Sequence, residues 1–130
     1  MSMVHDNIIL SYQVDFEANI MTLKTRYDNG DICENTDVVF TDYLTHMFEH
    51  VLKGSTIFDI TECQINLFVK RESELLKKNK NYGWPIFYET RYGLIKFLKT
   101  HGYKIFEISS SDGLNGYVFA KQLSITTVES

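Results

Sequence analysis

The chain has 130 residues, 44% of them hydrophobic, 14% aromatic and 23% charged. A chain of this length predicts one domain over 1–130 that buries roughly two-thirds of its unfolded surface, enough for a core without metal or disulfide. Nine Phe, eight Tyr and one Trp exclude a disordered tail, and one Pro with seven Gly excludes collagen-like or low-complexity composition.

Polar residues interrupt every hydrophobic run before the ~18 to 20 apolar residues that cross a bilayer. The opening MSMVHDNIIL carries an Asp where a leader would be basic. The sequence therefore predicts no membrane segment, no signal peptide and a cytoplasmic location. Cys33 and Cys63 are too few for a zinc knuckle or a disulfide framework, and both read as small, mostly buried thiols.

The net charge of −4 is unevenly spread, with eleven acids and three bases in residues 1–65 but six acids and ten bases in residues 66–130. That asymmetry predicts an acidic and a basic face, a pattern that steers a charged partner. Ten Lys against three Arg, together with overall acidity, argue against a nucleic-acid reader, which favours the bidentate Arg fork.

A period of two opens the chain. Ile8, Leu10, Tyr12, Val14 and Phe16 alternate with Ile9, Ser11, Gln13, Asp15 and Glu17, and after a Glu17-Ala18-Asn19 turn Met21, Leu23, Thr25 and Tyr27 alternate with Thr22, Lys24, Arg26 and Asp28. The two runs predict an antiparallel hairpin, and Asn29-Gly30 turns the chain into a third strand through Val38-Val39-Phe40.

From Thr41 the period reads as helical, with Leu44, Met47, Phe48, Val51 and Leu52 on one stripe and Gly54 as the stop. A short strand over 55–60 follows. Thr61-Glu62-Cys63-Gln64 fits a capping box for a helix to about Lys78, with Ile65, Phe68, Val69, Leu75 and Leu76 inward. Tyr82-Gly83-Trp84-Pro85 breaks the pattern, and a third helix over about 89–101 turns Leu94, Ile95, Phe97 and Leu98 inward. Strands at 103–109 and 117–121, extended at 124–128, close the chain around the turn-rich segment 110–116.

The order βββ-α-β-α-α-ββ predicts an α+β domain, a mainly antiparallel sheet with helices packed on one face. Leu10, Tyr12, Val14, Phe16, Leu44, Phe48, Val51, Phe68, Leu94, Phe97, Phe106 and Val118 are expected in one contiguous core.

Three segments carry chemistry worth weighing. His46-Met47-Phe48-Glu49-His50 matches H-x-x-E-H, in which two His one helical turn apart hold zinc and Glu49 activates a water. On the expected helix, however, His46, Glu49 and His50 lie opposite the apolar stripe, so the reading assigns no metal and keeps a small metal-dependent hydrolase as the alternative. The run Ser109-Ser110-Ser111-Asp112-Gly113-Leu114-Asn115-Gly116 offers hydroxyls and backbone N–H groups to an anion, but a strand follows it instead of a helix N-terminus, which favours a hairpin connection. The aromatic segment 82–88 with Tyr92, beside Lys77, Lys78, Lys80 and Arg91, can anchor a partner or stack bases; Trp84 reads as a structural plug, leaving Tyr82 and Tyr88 as candidates. No nucleophile or acid–base pair is set out by sequence, so no catalytic residue and no cofactor is assigned.

The acidic N-terminal hairpin, Tyr82-Gly83-Trp84-Pro85-Ile86 and the ending Ile108-Ser109-Ser110-Ser111-Asp112-Gly113-Leu114-Asn115-Gly116-Tyr117-Val118 resemble small proteins of low-GC Gram-positive bacteria, some of them immunity proteins beside polymorphic toxins. The resemblance implies a non-enzymatic protein that binds another protein, and the expectation taken from it is a bacterial interaction module of the immunity type that neutralises a toxin. Asp15, Glu17, Asp28, Asp31, Glu34, Asp37, Tyr82 and Tyr88 are the partner-binding candidates: acids steer the encounter and aromatics slow dissociation. A small-ligand cleft between the Trp84 segment and the 109–116 loop is a further alternative, and a homo-oligomer is compatible with the same composition.

Overall fold

A computed structural model describes residues 4–128. The elements in chain order are β1 (Ile8–Asp15), β2 (Ile20–Asp28), β3 (Cys33–Thr41), β4 (Thr45–Glu49), β5 (Ile57–Cys63), α1 (Ile65–Arg71), α2 (Ser73–Asn79), a 3₁₀ turn (Lys80–Tyr82), α3 (Arg91–Thr100), β6 (Lys104–Ser110), β7 (Asn115–Ala120) and β8 (Gln122–Val128). The strands form two four-stranded antiparallel sheets, in the orders β1-β2-β3-β8 and β4-β7-β6-β5. The fold is α+β with mainly antiparallel sheet, and the helices cover one face of the second sheet.

The expected single core is two cores sharing the second sheet. Met21, Leu23, Val38 and Phe40 meet Phe106, Ile108, Val118 and Ala120 between the sheets, while Ile105, Tyr117 and Phe119 point the other way onto Phe68, Val69, Leu76, Leu94 and Leu98 of the helices. Successive side chains of a strand face opposite sides, so a strand covered on both faces reads as one apolar run. Tyr117-Val118-Phe119-Ala120 is such a run, and all four residues are buried. Of the residues expected in one core, Tyr12, Val14, Phe48, Phe106 and Val118 belong to the inter-sheet core, and Leu44, Phe68, Leu94 and Phe97 to the helical one.

Leu10, Phe16 and Val51 are exposed instead. At β1 the register slips between Ile9 and Ser11, so Leu10 is an extra residue that resets the alternation. Ile9 packs inward before the bulge, Tyr12 and Val14 after it. Phe16 and Val51 lie outside the strands, in the turn after β1 and the connection after β4.

The largest correction is at 41–53, where the helical stripe is a strand. Met47 and Phe48 are neighbours that serve opposite faces, one lining the helical side and the other packing into the inter-sheet core. Two-sided burial thus imitates the i+3, i+4 pair of a helix. Asp42 (φ 52°) and His50 (φ 54°) bracket the strand in left-handed conformations that no right-handed helix passes through. Gly116 seals the pairing with β7, since a Cβ there would stand 2.0 Å from the Met47 carbonyl oxygen.

Two smaller corrections follow. Thr61–Cys63 end β5 instead of capping a helix, and Gln64, at the start of α1, makes no side-chain cap bond. The expected helix to Lys78 breaks at Glu72 (φ −103°, ψ 33°) into α1 and α2. Cys63 is half-buried as a free thiol, but Cys33 is exposed at the start of β3.

Candidate functional site

The H-x-x-E-H residues do not act as a set. His46 faces the inter-sheet core, with its ring against Tyr12, Tyr43 and Phe48 and its Nδ1 2.6 Å from the Tyr43 hydroxyl. Burial pulls the His46 pKa below its ordinary value. Glu49 and His50 line a cleft on the helical side. The two histidines are thus on opposite sides of the sheet, and the helical spacing that would bring them to one zinc is not there. Among the described residues no three His, Cys, Asp or Glu side chains are arranged to hold a metal ion.

That cleft, of about 250 Å³, is lined by Met47, Glu49 and His50 from the β4 end, Glu72 and Leu75 from the helix break, and Glu107, Asn115, Gly116 and Tyr117 from β6 and β7. Tyr117 donates a short hydrogen bond to the Glu72 carboxylate. Arg71 Nη2 donates to the Tyr117 hydroxyl oxygen at 3.2 Å, to Glu107 Oε1 at 3.3 Å and to Cys63 Sγ at 3.3 Å. Burial, reinforced by donation to Glu72, holds the Tyr117 hydroxyl far above the usual tyrosine range. The hydrogen bond to Tyr117 likewise strengthens the charged form of Arg71. Glu72 and Glu107 come from segments far apart in sequence, and no motif announces them.

The 109–116 segment is a hairpin connection, as its turn residues suggest. Ser110 Oγ donates to the Thr56 carbonyl at 3.0 Å, Asp112 Oδ1 accepts the Thr56 N–H at 2.8 Å, and the Leu114 N–H donates to the buried Ser55 hydroxyl at 3.0 Å. These bonds tie the connection to residues 55 and 56, while Asn115 Nδ2 donates within the connection to the Gly113 carbonyl at 2.8 Å. Trp84 packs edge-on against Phe119 and donates its indole N–H to the His46 carbonyl at 3.2 Å, which is the plug expected of it. Trp84 does not line the cleft beside Asn115 and Gly116, so this cleft is not the ligand space expected between the Trp84 segment and the 109–116 loop.

The partner-binding candidates fall into separate places. Asp15 Oδ1 accepts the backbone N–H groups of Glu17 and Ala18, and Asp28 Oδ1 accepts that of Gly30, so both carboxylates hold turns. Asp37 stands 3.8 Å from Lys24 on the outer face of the first sheet. Glu17 sits in one hairpin turn, while Asp31 and Glu34 flank the other, a β2 length of about 26 Å away. All six acids belong to the first sheet and its turns.

On the helical layer, Tyr82 is 83% exposed, Phe87 85% and Tyr92 74%. Gly83 occupies a left-handed turn (φ 71°), and the Phe87 ring lies over it where a Cβ would come within 2.6 Å of the ring. Tyr88 is half-buried, its ring 4.9 Å from Lys80 Nζ, which also donates to the Glu89 carbonyl at 2.8 Å. Ser73, Lys77, Lys80, Tyr88, Glu89 and Arg91 line an adjoining groove of about 190 Å³. The groove thus carries Lys77, Lys80 and Arg91 beside the Tyr88 ring, and the segment that bears the exposed rings is pinned by Trp84 and by the Thr90 cap, whose hydroxyl accepts the Gly93 N–H at 3.1 Å. Comparison of the chain with family models, curated proteins and solved structures finds no match.

Proposed function

We propose that this chain is a non-enzymatic protein-binding module of the immunity type, which seizes a toxin and neutralises it, and that the 82–92 segment supplies its anchors. The observation that carries the reading is the exposure of Tyr82, Phe87 and Tyr92 on one braced stretch of chain. Aromatic rings dominate binding energy at protein interfaces, and a pinned segment loses little conformational freedom on docking. Lys77, Lys80 and Arg91 beside it favour a partner with an acidic rim. Glu17, Asp31 and Glu34, on the far sheet, act through the long-range field.

Titration with the toxin encoded beside it tests this reading. Tyr82→Ala, Phe87→Ala and Tyr92→Ala together should speed dissociation by about tenfold or more. Glu17→Gln with Asp31→Asn and Glu34→Gln should change mainly the on-rate and its salt dependence. No complex, or unchanged dissociation after loss of the three rings, overturns the assignment.

A second reading, a small-ligand-binding domain, is favoured by the cleft at the helix break. Glu49, Glu72 and Glu107 suit it to a cationic group, and loss of ligand-induced stabilisation in Glu72→Gln would be its signature.

A further inference from the structure

Two four-stranded sheets have four edges, and an edge strand exposes unpaired N–H and C=O groups that template another strand. Three of the four are blocked. β1 carries the bulge at Leu10, and its Ile9 N–H donates to the Ser55 carbonyl at 2.9 Å. β4 is only five residues long, and the Trp84 indole N–H occupies its His46 carbonyl. β5 has a register slip between Ile57 and Asp59, bears Asp59 and Glu62, and is covered at its start by the chain before β1, where the Asp6 N–H donates to the Ile57 carbonyl and the Ile57 N–H to the Asn7 carbonyl.

β8 has none of these devices. Its seven residues, Gln122-Leu123-Ser124-Ile125-Thr126-Thr127-Val128, hold no charge and no proline, pair with β3 in unbroken register, and among the described residues pair with no other strand. β-Branched and hydroxyl residues of this kind suit a strand and make favourable cross-strand pairs. Leu123 and Ile125 reach the margin of the inter-sheet core and stay half-buried there.

We infer that β8 is the self-association edge of this protein, and that its occupant is β8 of a second copy, antiparallel about a two-fold axis through Ile125. A two-fold contact is self-complementary: the same surface meets itself. Centred on Ile125, the pairing sets Ile125 against its own counterpart and Leu123 against Thr127 on the core side, with Ser124 opposite Thr126 and Gln122 opposite Val128 on the outer side. Every pair is uncharged, so no repulsion opposes it. On β3 behind it, the Asp37 charge is offset by Lys24 at 3.8 Å. The product is a continuous eight-stranded sheet that extends the inter-sheet core across the axis. The 82–92 rings lie on the helical layer, away from this edge, so the inference is independent of the proposed partner site.

Light scattering during size exclusion tests it on the full chain. The wild type should run at twice the 15.2 kDa chain mass at high concentration, and Ser124→Lys with Thr126→Lys should run as the monomer. Both positions are exposed, so lysines fit the folded chain but set like charges opposite each other across the axis. A wild type that stays monomeric at millimolar concentration, or a variant that still dimerises, overturns the inference. Hydrogen exchange on the wild type alone gives a second reading, independent of how the variant folds. Alternate β8 amides should exchange more slowly as concentration rises while β4 amides do not change, and concentration-independent β8 exchange overturns it as well.

Discussion

The Tyr43 hydroxyl lies 2.6 Å from Nδ1 of His46, and the pair holds the one histidine that faces the inter-sheet core. Because burial lowers the His46 pKa, the unfolded chain takes up a proton there before the folded chain does. This contribution to stability is complete above the unfolded value of about 6.5 and is lost as the pH falls from there through the lowered folded value. In His46→Gln the amide keeps a partner for Tyr43 but cannot titrate. The urea midpoint of the wild type should therefore fall more steeply than that of the variant as the pH drops below about 6.5. Parallel curves would place His46 outside the core.

Separation of His46 and His50 by the sheet leads to a metal prediction. His46→Gln with His50→Gln should leave the far-ultraviolet circular dichroism spectrum unchanged, and untagged protein should carry no stoichiometric zinc. One zinc per chain, lost in the double variant, would restore the hydrolase reading.

Phe119 is fully buried between Phe68 and Trp84, with ring centroids at 5.4 and 5.5 Å. Phe119→Ala should cost about 3 to 5 kcal/mol in chemical denaturation. Phe16, exposed in its turn, should cost no more than about 0.5 kcal/mol on truncation to alanine. Similar losses at both would contradict the two-core arrangement.

Gly116 of β7 lies directly against β4, with no room for a side chain. A methyl group there meets the Met47 carbonyl and the Phe48 ring, so Gly116→Ala should destabilise the chain by about 1 to 3 kcal/mol and loosen the wall of the cleft. A stability within experimental error of the wild type would show that β4 is free to shift.

The sequence was most legible where one face of a strand is wet. Alternation in Met21–Tyr27 and the Asn29-Gly30 turn give the first hairpins directly, and the Leu94, Ile95, Phe97 and Leu98 spacing gives α3. It was least legible in β4 and β7 of the second sheet, which are covered on both sides and lose the period of two. Met47-Phe48 consequently passed for a helical stripe, and the partition of the strands between two sheets had no local signature. The bulge at Leu10 hid in an unbroken alternation, because an inserted residue changes the facing without changing the pattern. The cleft joins Glu49, Glu72, Glu107 and Tyr117 by topology alone. The aromatic 82–92 segment, by contrast, stood out beside turn formers and lysines, although of its two nominated rings only Tyr82 is exposed, Tyr88 is half-buried, and the exposed Phe87 had no signal to single it out.

The central claim is that this protein meets its partner through the exposed rings of the 82–92 segment. A photo-crosslinking side chain placed at Phe87, and in a separate variant at Gln13 on the outer face of the first sheet, tests it in lysate of the native host. The account predicts one specific protein adduct from position 87 that weakens when Tyr82 and Tyr92 are truncated to alanine, and no such adduct from position 13. No adduct at position 87, or the same adduct from both positions, would contradict it.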